Sequence, residues 1–174
     1  MIMPIVIYGS PILRKKSFDI EKPDEIISLA ENMMQTLKDA DGLGLAGPQV
    51  GALKNLFVIN TSPLESEGVQ SEEKVFINPE ILNYSDNNVY YNEGCLSIPG
   101  IFEDVSRPEA VEVRYRDLNF DWHEETLDGT VARIFQHEYD HLLGTLFIDK
   151  LSAIRRKLLR NKLNQIRKKN YIVP

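Results

Sequence analysis

Five residues, His137-Glu138-Tyr139-Asp140-His141, constrain this chain more than any other stretch of it. Histidines four apart lie on one face of a helix, one turn from each other, so both imidazoles reach a common metal ion only if the segment is helical. The glutamate beside the first histidine then lies where a general base would serve water activated by that ion. The rival reading is a charged helix face with incidental histidines. Composition weighs against it, because the chain holds only three His and two of them fall here. A tetrahedral catalytic site needs a third protein ligand and an open position. Beyond His141 the only candidate is Asp149, since residues 150–174 contain no Asp, Glu, His or Cys. That argues against a metallopeptidase with a downstream glutamate ligand, and Phe147 stands where the third histidine of a metzincin would be. The third ligand must come from upstream, so the fold has to bring a distant segment back to this helix.

The leading candidate is the sole cysteine, Cys95, in Glu93-Gly94-Cys95-Leu96-Ser97. A thiolate suits zinc or ferrous iron, and the adjoining glycine lets the chain turn tightly. A lone cysteine is otherwise most often a small buried hydrophobe. His123, in a polar Asp-Trp-His-Glu-Glu stretch, is the competing ligand.

The rest of the pattern predicts an α+β fold: mixed or antiparallel sheets around a central helix carrying the histidines, with an N-terminal and a C-terminal helix. Residues 24–39 place Ile26, Ile27, Leu29, Ala30, Met33, Met34 and Leu37 at helical spacing. A glycine-rich loop follows at 42–51, then short β-branched or aromatic runs at 56–60, 74–78, 88–91, 111–116 and 120–126. Thr61 to Glu73 is polar and reads as a surface loop. The central helix spans about 130–143 with Gly144 as its stop. A last helix over 150–169 is striped by Leu151, Ile154, Leu158, Leu163 and Ile166. With no linker or repeat, 1–174 reads as one domain, and no apolar run approaches the roughly 20 residues that span a bilayer. One cysteine allows no internal disulfide, so a reducing cytoplasmic setting is the default.

Three segments together carry a resemblance: Gly42-Leu43-Gly44-Leu45-Ala46-Gly47-Pro48-Gln49, Glu93-Gly94-Cys95-Leu96-Ser97 and Gln136-His137-Glu138-Tyr139-Asp140-His141. In this order they resemble the signature motifs of peptide deformylases, and the basic helix 150–170 resembles the bacterial type with a helical C-terminus. The resemblance implies a metal-dependent hydrolase that removes the N-formyl group from formyl-methionine on new polypeptides and releases formate. The alternative is another metallopeptidase acting on short peptides. By motif position, Cys95, His137 and His141 would hold the metal, with Fe2+ native and Zn2+ or Ni2+ in purified protein. Glu138 would move the protons, and Gln49 and the Leu96 backbone N–H would stabilise the oxyanion. Gly44 would pair with the extended substrate, and Leu43, Tyr91, Leu96, Ile134 and His137 would line the methionine pocket. Leu43 and Ile134 could equally be ordinary core. Glu93 would support the site and pair with Arg107. One departure stands out: the second of two usual alanines in the glycine-rich motif is Gly47, followed by Pro48, which puts local stiffness and pocket shape in question.

Charge is sharply divided along the chain. Residues 1–149 hold 11 basic and 26 acidic residues, a net −15, while 150–174 hold nine basic residues and no acid, a net +9. The body is too acidic for a general nucleic-acid binder. With the deformylase resemblance, the tail's partner would be the ribosome and its RNA, the alternative being a helix that simply packs on the body.

Overall fold

Strand β3 (Leu56–Asn60) is buried along its whole length, because helices cover both of its faces. Alternation sends Phe57 and Ile59 into one apolar cluster and Leu56 and Val58 into another. The second cluster is built with α1 (Ile27–Asp39), which contributes Ala30, Met33 and Leu37. The first is built with α2 (Gly129–Leu142), which contributes Ala132, Ile134, Phe135 and Leu142. The computed structural model describes residues 1–169 and 171–174.

Around β3 lies a five-stranded antiparallel sheet in the order β2-β3-β4-β7-β8, made of β2 (Gly44–Ala46), β4 (Glu73–Tyr84), β7 (Ala110–Arg116) and β8 (Trp122–Asp128). Strands β5 (Asn88–Cys95) and β6 (Ile98–Pro108) form a separate antiparallel hairpin, paired only with each other among the described residues. A third apolar cluster lies under this hairpin, joining Ile98, Ile101 and Val105 to Phe147, Leu159 and Leu163. A two-stranded ribbon of β1 (Ile5–Val6) and β9 (Tyr171–Ile172) ties the chain ends together. Helix α3 (Ala153–Ile166) begins at Ser152, whose side chain caps the Arg155 N–H.

The expected α+β architecture is what the chain adopts, with α2 central. Nine of its 14 residues are buried, on all sides of the helix. Four details differ from the sequence reading. The stretch 42–51 is not a loop throughout: it holds β2 and a 3-10 turn over Gly47–Val50. Strand β6 lacks an apolar-polar signature because its inward row includes the charged Glu103 and Arg107 beside Ile101 and Val105. Residues 61–73 contain a 3-10 segment, Ser62–Glu67. Finally, the helix expected over 150–169 starts three residues later, and its packing stripe is Leu159, Leu163 and Ile166. Ile154 and Leu158 point outward, 73% and 66% exposed. The last position of the basic segment 150–170, Asn170, lies outside the described residues.

Candidate active site

Helix α2 faces the β5–β6 hairpin across a cavity of about 480 Å³. The Cys95 thiol, at the end of β5, meets His137 and His141 from α2, and the ligand atoms of the three lie within 4.8 Å of one another. Cys95 Sγ is 3.3 Å from His141 Nε2. His137 Nδ1 is 2.9 Å from a carboxylate oxygen of Glu93, which leaves its Nε2 for the cluster. His123 is elsewhere: it stacks on Tyr115 and lies 2.6 Å from Asp117 on the β7–β8 turn. Of the two candidate third ligands, geometry brings in Cys95 and leaves His123 out.

The electrostatics separate the two carboxylates of the site. Glu93 is clamped by Arg107, whose Nε and Nη2 donate at 2.7 and 3.0 Å, and by Arg133 Nη1 at 2.7 Å. Burial alone would raise its pKa, but hydrogen bonds from His137 and Arg107 and their charges hold it well below the usual carboxylate range. Glu138 is 3% exposed and has one carboxylate oxygen with no hydrogen-bond partner among the described residues. Burial pushes its carboxyl up to about 7. Between the imidazoles the directions oppose. Burial would pull His137 down, yet its bonds to Cys95 and Glu93 hold it well above the usual value. Burial and the neighbouring His137 drive His141 well below it, the neutral state that a ligand needs.

A divalent metal fits these residues. One thiolate and two imidazoles are a donor set for zinc or ferrous iron, three protein ligands leave a position open, and the unpartnered Glu138 oxygen lies buried beside them. The remaining predicted residues gather on the cavity wall. Leu43, Gly44, Tyr91, Leu96 and Ile134 all line it. Leu43 and Ile134 also pack against the apolar cluster under the sheet, so each is core on one side and wall on the other. Gln49 is 1% exposed; Ala46 N–H donates to its Oε1 at 2.8 Å, which aims the amide nitrogen toward Cys95 Sγ at 3.6 Å and Ser97 Oγ at 3.1 Å. Among the described residues β2 pairs only with β3, so its other edge carries no sheet partner there beside the cavity.

Gly44 and Gly47 each have a steric reason to be glycine. A Cβ on Gly44 would collide with the Glu138 carboxylate. A Cβ on Gly47 would sit 2.7 Å from the Ala52 carbonyl oxygen and 2.8 Å from that of Lys54, so the backbone as it lies admits no alanine there. Neither Gly47 nor Pro48 is on the cavity wall, so this departure from the usual motif leaves the pocket's lining untouched.

Sequence reasoning missed three contributors. Arg133 lines the cavity, and a signal was present: it precedes His137 by four residues and shares its helix face. Leu64, from the 3-10 segment expected to be surface loop, forms part of the rim. Phe102, on β6, covers Gly94, where any Cβ would strike its ring.

Comparison with known proteins finds relatives over nearly the whole chain. Residues 2–157 match the family model described as polypeptide deformylase. A peptide deformylase of Cytophaga hutchinsonii is 46% identical over 97% of this chain and 92% of its own length. One from Salinibacter ruber is 42% identical over 95% and 89%. Among solved structures, the Thermus thermophilus peptide deformylase superposes with a TM-score of 0.87 at 39% identity, covering 97% of this chain and 99% of that one. A Plasmodium falciparum peptide deformylase gives 0.87 at 40% identity over 94% and 95%.

Proposed function

Because the chain belongs to the peptide deformylase family, enzymes that remove the N-formyl group from new polypeptides, we propose how its own residues divide that work. The observation that carries the reading is the Cys95–His137–His141 cluster beside a buried, unpartnered Glu138 oxygen on the wall of an apolar cavity. Cys95, His137 and His141 hold a divalent ion, Fe2+ in the cell and Zn2+ or Ni2+ in protein purified in air. When bound, the ion supplies Lewis-acid polarisation and acidifies water. Glu138 takes the proton of the attacking water and hands it to the leaving amine; a buried carboxylate beside the cluster, with an oxygen that has no hydrogen-bond partner among the described residues, is placed for both transfers. Gln49 Nε2 and the Leu96 N–H donate to the oxyanion of the tetrahedral carbon. The methionine side chain lies among Leu43, Tyr91, Leu96, Ile134 and His137, and the substrate backbone runs beside Gly44 along the open edge of β2. The whole chain, 1–174, acts as one catalytic domain.

Three measurements test this. Wild type loaded anaerobically with Fe2+ should release formate from a formyl-methionyl peptide, and absence of release would defeat the enzyme reading. Cys95→Ser should lose bound metal, whereas unchanged occupancy would defeat the ligand set. Gln49→Ala should lower kcat by about 100- to 1,000-fold, the usual effect of removing one oxyanion donor.

We further propose that α3 docks the enzyme on ribosomal RNA in the cytoplasm, where its substrates emerge. In support, a groove of about 540 Å³ runs between α3 and the N-terminal segment, lined by Arg14, Arg156, Lys157, Arg160 and Arg167. Arg14 is paired with Asp149, but Arg156, Lys157 and Arg160 have no ion pair among the described residues. The rival, a helix that only packs on the body, is met by Leu159 and Leu163 and by Arg155, which holds Glu103 at 2.5 Å. The two roles use different faces and coexist. No helix is long and apolar enough to cross a membrane among the described residues.

A further inference from the structure

The metal ligands come from two units that no sheet connects. His137 and His141 ride on α2, while Cys95 ends β5 in a hairpin that, among the described residues, pairs only with itself. The spacing of the three ligand atoms therefore depends on side chains that tie hairpin to helix. A row along α2 does this. Gln136 Nε2 donates to the Pro108 carbonyl at 2.9 Å, and Asp140 accepts from Arg107 Nη1 at 2.7 Å. His137 meets Glu93. Each of these reaches one strand.

Arg133 reaches both. Its Nη2 donates to the Val89 carbonyl of β5 at 2.7 Å, and its Nη1 donates to the Val105 carbonyl of β6 at 2.9 Å and to Glu93 at 2.7 Å. Among the described residues it is the one α2 side chain that bonds both strands. It is 4% exposed, so these bonds are made away from bulk water, with Glu93 offsetting the buried charge. Its guanidinium carbon lies 5.7 Å from the centre of the Tyr91 ring, on the cavity wall. Arginine is the side chain that suits such a task, because a planar fork binds several acceptors at fixed angles where an ammonium offers a single point.

We infer that Arg133 is a positioning residue of the metal centre: by stapling both hairpin strands and Glu93 to α2, it holds Cys95 at ligand distance from His137 and His141. This rests on those three residues being the metal ligands. Residues that orient ligands in this indirect way typically contribute 10- to 100-fold to metal affinity. A residue that merely stabilised the fold would lower the melting temperature without moving the affinity of the folded protein.

The experiment compares wild type, Arg133→Met, Arg133→Lys and Cys95→Ser for Zn2+ and Co2+ affinity by chelator competition. Thermal melts and the thiolate-to-cobalt charge-transfer absorption are recorded alongside. Arg133→Met should bind both ions about 10- to 100-fold more weakly, with an altered charge-transfer band, while still melting cooperatively above the assay temperature. Arg133→Lys keeps a positive charge beside Glu93 but lacks the fork, so it should recover part of the affinity and not all of it. Equal affinity in wild type and both Arg133 variants, with the band intact, would overturn the proposal alone. Complete recovery by lysine would do the same, since charge without bridging would then suffice. If Arg133→Met does not fold, Arg133→Lys decides by the same comparison. If wild type shows no thiolate band, or Cys95→Ser binds as tightly, the ligand assignment falls and the role of Arg133 falls with it.

Discussion

Helices α2 and α3 have the same length, 14 residues, and both are rich in charged and polar side chains, yet the fold uses them in opposite ways. On α2 the polar groups face inward: Arg133, Gln136, His137, Glu138 and His141 are all buried. On α3 only Leu159 and Leu163 are buried, and apolar Ile154 and Leu158 join the cations at the surface. A buried polar group needs a partner or it costs free energy, so each inward residue of α2 is either matched or held for chemistry. Arg133 and Gln136 are matched; Glu138 keeps an oxygen, and His141 its Nδ1, without a partner among the described residues, while His141 Nε2 is the ring nitrogen that faces Cys95. Arg155 of α3 pairs with Glu103, but Arg156, Lys157 and Arg160 have no ion pair among the described residues; water stabilises them and leaves them available to a partner. Charge content alone does not distinguish a site from a solvated face; the surroundings do.

The strongest break of this comparison would come at Glu138. Glu138→Gln preserves shape but removes the carboxylate proposed to move protons, so kcat on a formyl-methionyl peptide should fall by about 100- to 10,000-fold. Metal content should stay at the wild-type level, because the ligand set is intact. A variant with near-normal kcat would mean that the unpartnered carboxylate is a structural accident.

A smaller effect separates the helices by packing. Phe135 is fully buried and touches Phe57 and Phe76 edge-on, with ring centres 5.0 and 5.1 Å away. Phe135→Ala should cost about 3–5 kcal/mol in a urea unfolding curve. Ile154→Ala, on the outward face of α3, should change stability by no more than about 0.5 kcal/mol. Comparable losses would show that α3 is covered in solution by something its own body does not supply.

The same contrast explains what could be read from the amino-acid sequence. Two histidines at helical spacing in a chain with three, and a single cysteine, were enough to name the cluster, because metal chemistry restricts residue types severely. Strands with one apolar row, such as β7 with Val111, Val113 and Tyr115 inward, were also legible. What escaped was whatever depends on a distant partner. Strand β6 hides Glu103 and Arg107 among its inward positions; the motif resemblance anticipates the Arg107–Glu93 pair, but Arg155 as the partner of Glu103 appears only in the folded chain. Arg133 escaped for the same reason: an arginine on a helix reads as a solvated charge until Val89, Glu93 and Val105 are seen around it. The orientation of α3 failed differently. Its leucines and isoleucines are spread around the helix, so several stripes fit the spacing, and burial selects Leu159, Leu163 and Ile166.

The finest test leaves catalysis alone and probes the outward face of α3. Replacing Arg156, Lys157 and Arg160 together by Ser removes three cations of the groove that have no ion pair among the described residues. Leu159 and Leu163 stay in place, so the helix should remain docked, which a truncation could not guarantee. Turnover of a short formyl-peptide should be unchanged, because none of the three lines the catalytic cavity. Ribosome binding should weaken, and the slope of log affinity against log salt should become shallower by about 2 to 3, as expected when three phosphate contacts and their released counterions are lost. An unchanged slope would show that these cations are only solvated surface. A loss of short-peptide turnover would show instead that α3 and the hairpin are coupled more tightly than their separate faces suggest, through the Arg155–Glu103 pair that joins them.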